Sequence, residues 1–244
     1  MDPSAYTLMA ETEDKHWWFQ GRRSAIKVLL DSLKLPSNAQ ILDIGAGTGG
    51  NLALLQKYGC VQGMELDDYA REHAIQKSGL TILNGRLPEK IPFEAATFDV
   101  ICLFDVLEHV QYDYESLVAI RHFLKPDGCL IITIPAYQWL WSAHDTVLHH
   151  FRRYSRKGFE TLFKKAGYRA EKLSFFNMTL FPIAMVARLM DRVLQRKKSS
   201  GDQVPFFLIN ELFAGITKTE AKLLKNYNFP FGSSLIAILR PYEK

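Results

Sequence analysis

Residues 40–50 read Gln-Ile-Leu-Asp-Ile-Gly-Ala-Gly-Thr-Gly-Gly, a short apolar strand that runs into glycines at 45, 47 and 49. Asn51-Leu52-Ala53-Leu54-Leu55 then starts a helix. Lacking a Cβ, glycine lets the chain turn tightly and lets a ligand approach the backbone. The helix that follows points its unpaired N–H groups at whatever fills the turn. Strand, glycine turn and helix in this order form a nucleotide-type binding element. They commit the chain to parallel strands joined by crossover helices.

The turn alone leaves the ligand open. Gly45, Gly47 and Gly50 also satisfy the dinucleotide pattern G-x-G-x-x-G, and Glu65 lies where a ribose-binding acid is expected in either case. Asp43, two residues before the first glycine, tilts the choice. A carboxylate there suits a ligand bearing an ammonium group and would repel a pyrophosphate. An NAD(P)-dependent oxidoreductase is therefore the alternative reading, and no hydride-transfer constellation accompanies it. A non-catalytic S-adenosylmethionine-binding or membrane-associated partner protein is the third.

Apolar runs and helical stripes alternate along the chain, the mark of a doubly wound α/β sheet. Strands are expected at 40–44, 61–65, 80–83, 98–104, 129–134 and 169–177, with a late β-rich segment at 233–240. Leu117, Ile120 and Leu124 form a helical stripe that should stop at Pro126-Asp127-Gly128. After Pro135 the alternation breaks and resumes at Ser155, a helix N-cap ahead of Phe159, Leu162, Phe163 and Ala166. The stretch 178–232 is too long for a simple connection and reads as two helices, 178–198 and 206–226, around the polar linker 199–203. The expected organisation is a helical lid at 1–39, a Rossmann-like core at 40–177, a helical insertion or cap at 178–232, and a last core strand at 233–244.

Among 244 residues, 48% are apolar, enough for a sizeable core, and the net charge of +4 implies no nucleic-acid partner. Cys60, Cys102 and Cys129 form no metal-like set. The start of the chain lacks an apolar signal core, and no run is long enough to span a bilayer, so a cytoplasmic location is expected. No charge appears between Ser174 and Ala187, and the segment to 190 is followed by Arg192, Arg196, Lys197 and Lys198. Through 173–198 the chain is expected to form a cap over the substrate site, a homodimer face or a peripheral membrane contact.

The downstream motifs are Phe98-Asp99-Val100-Ile101-Cys102-Leu103-Phe104-Asp105-Val106-Leu107-Glu108-His109-Val110 and Leu124-Lys125-Pro126-Asp127-Gly128-Cys129-Leu130-Ile131-Ile132-Thr133-Ile134-Pro135. With the glycine turn they closely resemble the class I S-adenosylmethionine-dependent methyltransferases, particularly the bacterial ubiquinone-type group, over roughly residues 15 to 180. His16-Trp17-Trp18-Phe19-Gln20-Gly21-Arg22-Arg23 and Trp139-Leu140-Trp141-Ser142-Ala143-His144-Asp145, with Arg152-Arg153-Tyr154, look like a subgroup often linked with glycan or lipid biosynthesis. The resemblance implies a seven-stranded sheet of order 3-2-1-4-5-7-6 whose last strand is antiparallel.

It also implies roles residue by residue. Gly45, Ala46, Gly47 and Gly49 would lie against the methionine part and ribose of the cofactor, and Asp43 would bind its amino group. Glu65 would accept from the ribose hydroxyls, Leu66 would pack on the adenine, and Phe104, Asp105 and Val106 would line the mouth beside the methyl group. Arg86 stands where the group often has an adenine-binding acid; arginine offers no acceptor, which leaves Asn84 or backbone carbonyls for that task.

A hydroxyl acceptor needs a general base, and His109, His144, His149 and His150 are the candidates, with His144, His149 and His109 carried forward. The histidine spacing matches no familiar zinc arrangement, so no metal is expected. Trp17, Trp18, Tyr137, Trp139, Trp141 and Tyr154 are expected to shape an apolar pocket for a small-molecule or lipid-linked acceptor. O-methylation, or N-methylation, by in-line displacement is the expected reaction.

Overall fold

The structure is a computed structural model and describes residues 3–193 and 204–242. Its centre is a seven-stranded sheet of order β3-β2-β1-β4-β5-β7-β6, built from β1 (Gln40–Ile44), β2 (Cys60–Glu65), β3 (Ile82–Asn84), β4 (Phe98–Phe104), β5 (Leu124–Pro135), β6 (Tyr168–Phe176) and β7 (Ser234–Pro241). The first five pair in parallel, and β7 inserts antiparallel between β5 and β6. This is the Rossmann-like methyltransferase architecture expected from the motifs. The central strands read as continuous apolar runs because helices cover both faces. Ile41, Leu42, Val100, Ile101, Leu103, Ile131 and Ile132 are all fully buried.

The parallel strands alternate with α3 (Leu52–Leu55), α4 (Asp68–Ser78) and α5 (Asp113–Arg121), and α7 (Arg156–Lys165) precedes β6. Asp67 caps α4 by accepting from the Ala70 N–H at 3.0 Å, and Ser155 caps α7 at Gly158. One element differs from expectation. The stripe Leu117–Ile120–Leu124 does not run on as a helix: α5 ends at Arg121, and Leu124 already pairs with Phe98 in β5. Leu124 is apolar for the sheet. The register then shifts between Phe98 and Val100, which lets Pro126-Asp127-Gly128 sit inside the strand as an irregularity.

Two helices precede the sheet, α1 (Pro3–Thr12) and α2 (Trp17–Ser32). The long insertion holds α8 (Phe181–Val193) and α9 (Phe207–Leu224); the linker expected at 199–203 lies outside the described residues. Between β5 and α7 comes the short α6 (Ala143–Val147).

α9 packs along α2, and the approach is close because Gly21 has no side chain. A Cβ there would stand 2.5 Å from Thr217 Oγ1. α9 also clamps its neighbours with buried polar groups. Asn210 accepts from Trp17 N at 2.9 Å and donates to the Lys15 carbonyl at 2.9 Å. The Glu220 carboxylate accepts from the N–H groups of Met178 and Thr179 at 2.9 and 2.7 Å. These bonds hold the leader and the start of α8 against one end of the sheet.

Candidate functional site

The glycine turn lies at the carboxyl end of β1. Gly45, Gly47 and Gly49 all have positive φ, between 54 and 92°. At Gly45 a Cβ would also meet Val106 Cγ2 at 2.5 Å, so the position is closed to a side chain twice over. The N–H groups of Gly45 and Ala46 bind the Met64 carbonyl, at 2.7 and 3.1 Å, which ties the turn to β2.

Glu65 ends β2 beside this turn. Its Oε2 accepts from Gly47 N at 2.8 Å, and its Oε1 accepts from Leu66 N and Asp67 N at 2.8 and 3.0 Å. Burial pushes its pKa up, and these three N–H groups pull against that rise. A carboxylate has about four lone-pair positions, so with three taken about one remains for a ribose hydroxyl.

Asp43 is 1% exposed, and its Oδ2 has no hydrogen-bond partner among the described residues. Burial pushes its pKa up to about 7; Arg22 pulls it down and Glu65 pushes it further up. A buried, unmatched carboxylate oxygen beside a glycine turn suits a cationic ligand group such as the amino group of S-adenosylmethionine. The residues present therefore fit that cofactor: Asp43 toward its ammonium, Glu65 toward its ribose, the turn against its backbone-like part.

The leader reaches into this region. Arg22 on α2 pairs with Asp105 Oδ2 at 2.5 Å, with side-chain exposures of 10% and 17%. Its guanidinium also lies 4.8 Å from the Trp18 ring centre. Asp105 follows β4 with φ 56° and accepts from Thr133 Oγ1 at 3.0 Å. Glu13, at the end of α1, accepts from Thr48 Oγ1 in the turn and from Lys77 of α4. Tyr6 of α1 is held protonated by burial and by the nearby charge of Glu65. The adenine side is more open. Leu66 is 55% exposed, and Asn84 donates to the Leu66 carbonyl at 3.2 Å. Arg86 faces outward beside Glu89.

The histidines separate into different environments. His109 is half-buried in the turn after β4, and loss of water, then His150, pulls its pKa down to about 3. His149 is exposed with φ 56°. His144 opens α6, its ring 6.3 Å from His150. His150 is the member that the fold organises: its ring stands 4.5 Å from His109, and its Nδ1 lies 2.8 Å from Asp145 Oδ1. Asp145 in turn accepts from Arg153 Nε and Nη2 at 2.7 and 3.0 Å and from Ser142 N at 2.9 Å. Burial opposes ionisation of Asp145, but the bonds from His150 and Arg153 outweigh it and hold its carboxyl well below the usual range.

Glu108, beside His109, is 1% exposed with Oε2 unpartnered among the described residues. Burial and then the Asp105 charge drive its pKa well up.

Sequence reasoning assigned no role to Arg22 or Glu108. The i, i+4 spacing of Trp18 and Arg22, which sets the cation on the aromatic face of α2, was the signal for the first. An ionisable pair, Glu108-His109, between the apolar Leu107 and Val110 was the signal for the second.

The aromatic residues do not converge on one wall. Trp17 meets Phe213 of α9 edge-on at 5.5 Å, and Trp17 and Trp18 line a crevice with Arg22, Asn177, Thr217 and Glu220. Tyr137 instead stacks on Phe175 at 5.3 Å and touches Phe181 of α8, with Trp139 6.2 Å from Phe181. Trp141 is half-buried in the same loop. Tyr154 is a correction. It is 6% exposed, its hydroxyl lies 3.1 Å from Asp113 Oδ2 and its ring packs on Phe159, so it serves the core and not an acceptor pocket.

Comparison with known proteins agrees with this geometry. The family described as "Methyltransferase domain" matches residues 17–173. The ubiquinone biosynthesis O-methyltransferase of Actinobacillus pleuropneumoniae is 31% identical over 137 residues, covering 48% of this chain and 58% of that protein. The mitochondrial ubiquinone biosynthesis O-methyltransferase of Schizosaccharomyces pombe is 29% identical over 141 residues, covering 49% and 50%. The chain thus spans about half the length of the curated relatives it matches. Among solved structures, a Haloferax volcanii protein in complex with the Trm112 methyltransferase activator superposes with TM-score 0.64 at 18% identity, over 100% of this chain and 96% of that one. With the family matched over most of its length and the sheet order in place, the chain belongs to the class I S-adenosylmethionine-dependent methyltransferases.

Proposed function

We propose that this protein transfers the methyl group of S-adenosylmethionine to a hydroxyl of a small-molecule or lipid-linked acceptor. The observation that carries the reading is the unmatched buried oxygen of Asp43 set beside the glycine turn and Glu65. The cofactor supplies an activated methyl on a sulfonium. The chain's part is to fix the donor, exclude water and hold the acceptor oxygen in line. Gly45, Ala46, Gly47 and Gly49 hold the donor with Asp43 and Glu65; Leu66 and Asn84 flank its base, and Phe104, Asp105 and Val106 border the methyl.

Hydroxyl acceptors are favoured over nitrogen because a histidine and carboxylate group, the buried Glu108 with the half-buried His109 and His150, lies beside Asp105 at the mouth of β4, and the relatives named above are O-methyltransferases. His109 is neutral, which suits it to accept a hydrogen bond from the acceptor. His144 and His149 lie on the same loop and remain secondary candidates for the base.

Residues 1–39 act as a lid, supported by the contacts of Glu13 and Arg22 with Thr48 and Asp105. Residues 178–232 act as a cap over the acceptor, with Trp17 and Trp18 on one side and Tyr137, Trp139 and Trp141 on the other. A lipophilic acceptor is supported by the exposed Ile183, Val186 and Met190 on α8 and Phe207, Leu208 and Leu212 on α9, faces that would also serve a membrane surface or a second copy. No helix among the described residues is long and apolar enough to cross a membrane.

Calorimetry with S-adenosylmethionine, S-adenosylhomocysteine and NAD tests the donor, and a labelled-methyl screen of catechols, quinols and lipid phenols tests the acceptor. Glu65→Gln should weaken binding of both sulfur compounds about tenfold or more, since one charge-assisted contact is worth about 1.5–3 kcal/mol. Binding of NAD without the sulfur compounds would overturn the reading.

A further inference from the structure

We propose that the crevice between α2, α9 and the end of β6 is an anchoring subsite for an uncharged hydroxyl compound, gripped by Arg22 Nε and Asn177 Oδ1. Both residues line this crevice, and each of these two atoms is buried without a hydrogen-bond partner among the described residues. One atom is a donor and the other an acceptor. Leaving either unmatched is costly, and a single hydroxyl group satisfies both: it accepts from the guanidinium and donates to the carboxamide.

Neighbours hold each side chain in place. Arg22, 9% exposed, is tied to Asp105 through Nη1 and lies over Trp18, with its charge centre 4.8 Å from the ring centre. Asn177, 5% exposed, donates from Nδ2 to Ser233 Oγ at 3.0 Å, which leaves Oδ1 as the free end of the carboxamide. Its backbone has φ 57°, a left-handed conformation that asparagine adopts more readily than most residues.

The other polar groups of the crevice are already engaged. The Glu220 carboxylate accepts from Met178 N and Thr179 N, and Thr217 Oγ1 is spent on the carbonyls one turn back, at Phe213 and Ala214. Charge then narrows the ligand. Arg22 is balanced by Asp105 and Glu220 adds a negative charge, so an anion is repelled. An ammonium group offers Arg22 Nε no acceptor. An uncharged hydroxyl meets both conditions.

The walls set the rest of the molecule. Trp17, Trp18, Phe176, Leu224 and Phe229 suit an apolar or aromatic frame around that hydroxyl. Free space in the crevice is about 290 Å³, part of it open to solvent, near the lower end of the range for small-molecule sites.

Arg22 also decides what the subsite does. Its guanidinium reaches Asp105 with one nitrogen and faces the crevice with another, so it stands between the gripped hydroxyl and the mouth of β4. That hydroxyl is therefore an anchor, and a different group of the same acceptor takes the methyl. This use rests on the methyl-transfer reading above; the binding of a hydroxyl compound does not.

The test titrates the full chain with phenol, anisole and toluene, read by tryptophan emission and by ligand-observed NMR. Anisole keeps an oxygen for Arg22 but cannot donate to Asn177, and toluene can do neither. Phenol should bind saturably with a dissociation constant of about millimolar, the range for so small a molecule, and anisole and toluene at least tenfold more weakly. Asn177→Gly removes the carboxamide at a backbone conformation that glycine tolerates. It should weaken phenol about tenfold and leave anisole and toluene unchanged.

S-adenosylhomocysteine, titrated into the same samples, separates the two readings, and its affinity should be the same in the native chain and in Asn177→Gly. Native protein that binds the nucleoside but takes phenol no more tightly than toluene overturns the subsite alone. Native protein that selects phenol but binds no nucleoside overturns the donor reading alone. Undiminished phenol binding in Asn177→Gly would also overturn the subsite. The native chain's preference among the three probes decides the matter even if the variant fails to fold.

Discussion

Asp145 and Arg153 form a two-pronged pair, with Arg153 Nε and Nη2 at 2.7 and 3.0 Å from the two carboxylate oxygens, and the carboxylate is wholly buried. The pair fixes the loop after β5, because the same carboxylate also orients His150. Both charges are out of water, so the arrangement is stabilising only while it is complete.

Removing one partner should therefore be costly. Asp145→Asn is expected to lower stability at neutral pH by about 3–5 kcal/mol, because Arg153 is left without its counter-charge. The pH dependence follows from the sign of the shift. The Asp145 carboxyl is held below its usual range, so its contribution is full above the unfolded value of about 3.9 and fades as pH falls below that. Urea unfolding between pH 2 and 7 should show a flatter acid limb for the variant.

The Arg22–Asp105 pair joins the leader to the mouth of β4. Arg22→Met is expected to destabilise by about 3–5 kcal/mol and to reduce donor affinity, because Asp105 loses its counter-charge. Adding Asp105→Asn should restore most of the stability. A double-mutant cycle in chemical denaturation measures the coupling, and additive effects would show the pair to be idle.

Asp43 predicts proton release on donor binding. Its folded pKa stands near 7 against 3.8 for an ordinary carboxyl, so the folded protein without donor holds a proton that the unfolded chain has lost between those values. Stability contributed by this group accordingly falls as pH rises through that window and is lowest above 7. An ammonium ligand favours the ionised form. Donor affinity should climb by up to about tenfold per pH unit below pH 7 and level off above it. Calorimetry at pH 6 in buffers of different ionisation enthalpy should detect close to one proton released, and Asp43→Asn should abolish both the release and the slope.

Gly45→Ala tests the turn. With φ 71° and the Val106 methyl 2.5 Å from the new Cβ, the substitution should cost about 1–3 kcal/mol and weaken donor binding. Thermal unfolding with and without S-adenosylhomocysteine reads both effects.

Much of the sheet was legible because its signals are local. Each parallel strand is an apolar run ending near glycine or a helix cap, and the turn at 45–49 needs φ values that only glycine adopts easily. Boundaries failed where two readings share one composition: Leu124 suits a helix stripe and a buried strand equally, and pairing with Phe98 decided for the strand. The grouping of Asp43, the glycines and Glu65 was readable for a similar reason, since they lie on adjoining pieces of β1 and β2.

The cluster around His150 was not readable in this way. Local sequence determined that this chain builds a parallel sheet with a ligand turn after its first strand, through glycine stereochemistry and apolar periodicity. Only tertiary structure decided that His150 faces His109 and not solvent, that Asp145 serves His150 and Arg153 together, and that Arg22 crosses from the leader to Asp105. Those relationships join segments tens of residues apart, and burial is what gives them force: the same charges in water would interact weakly, and no pattern of neighbours along the chain records which of them lose their water together.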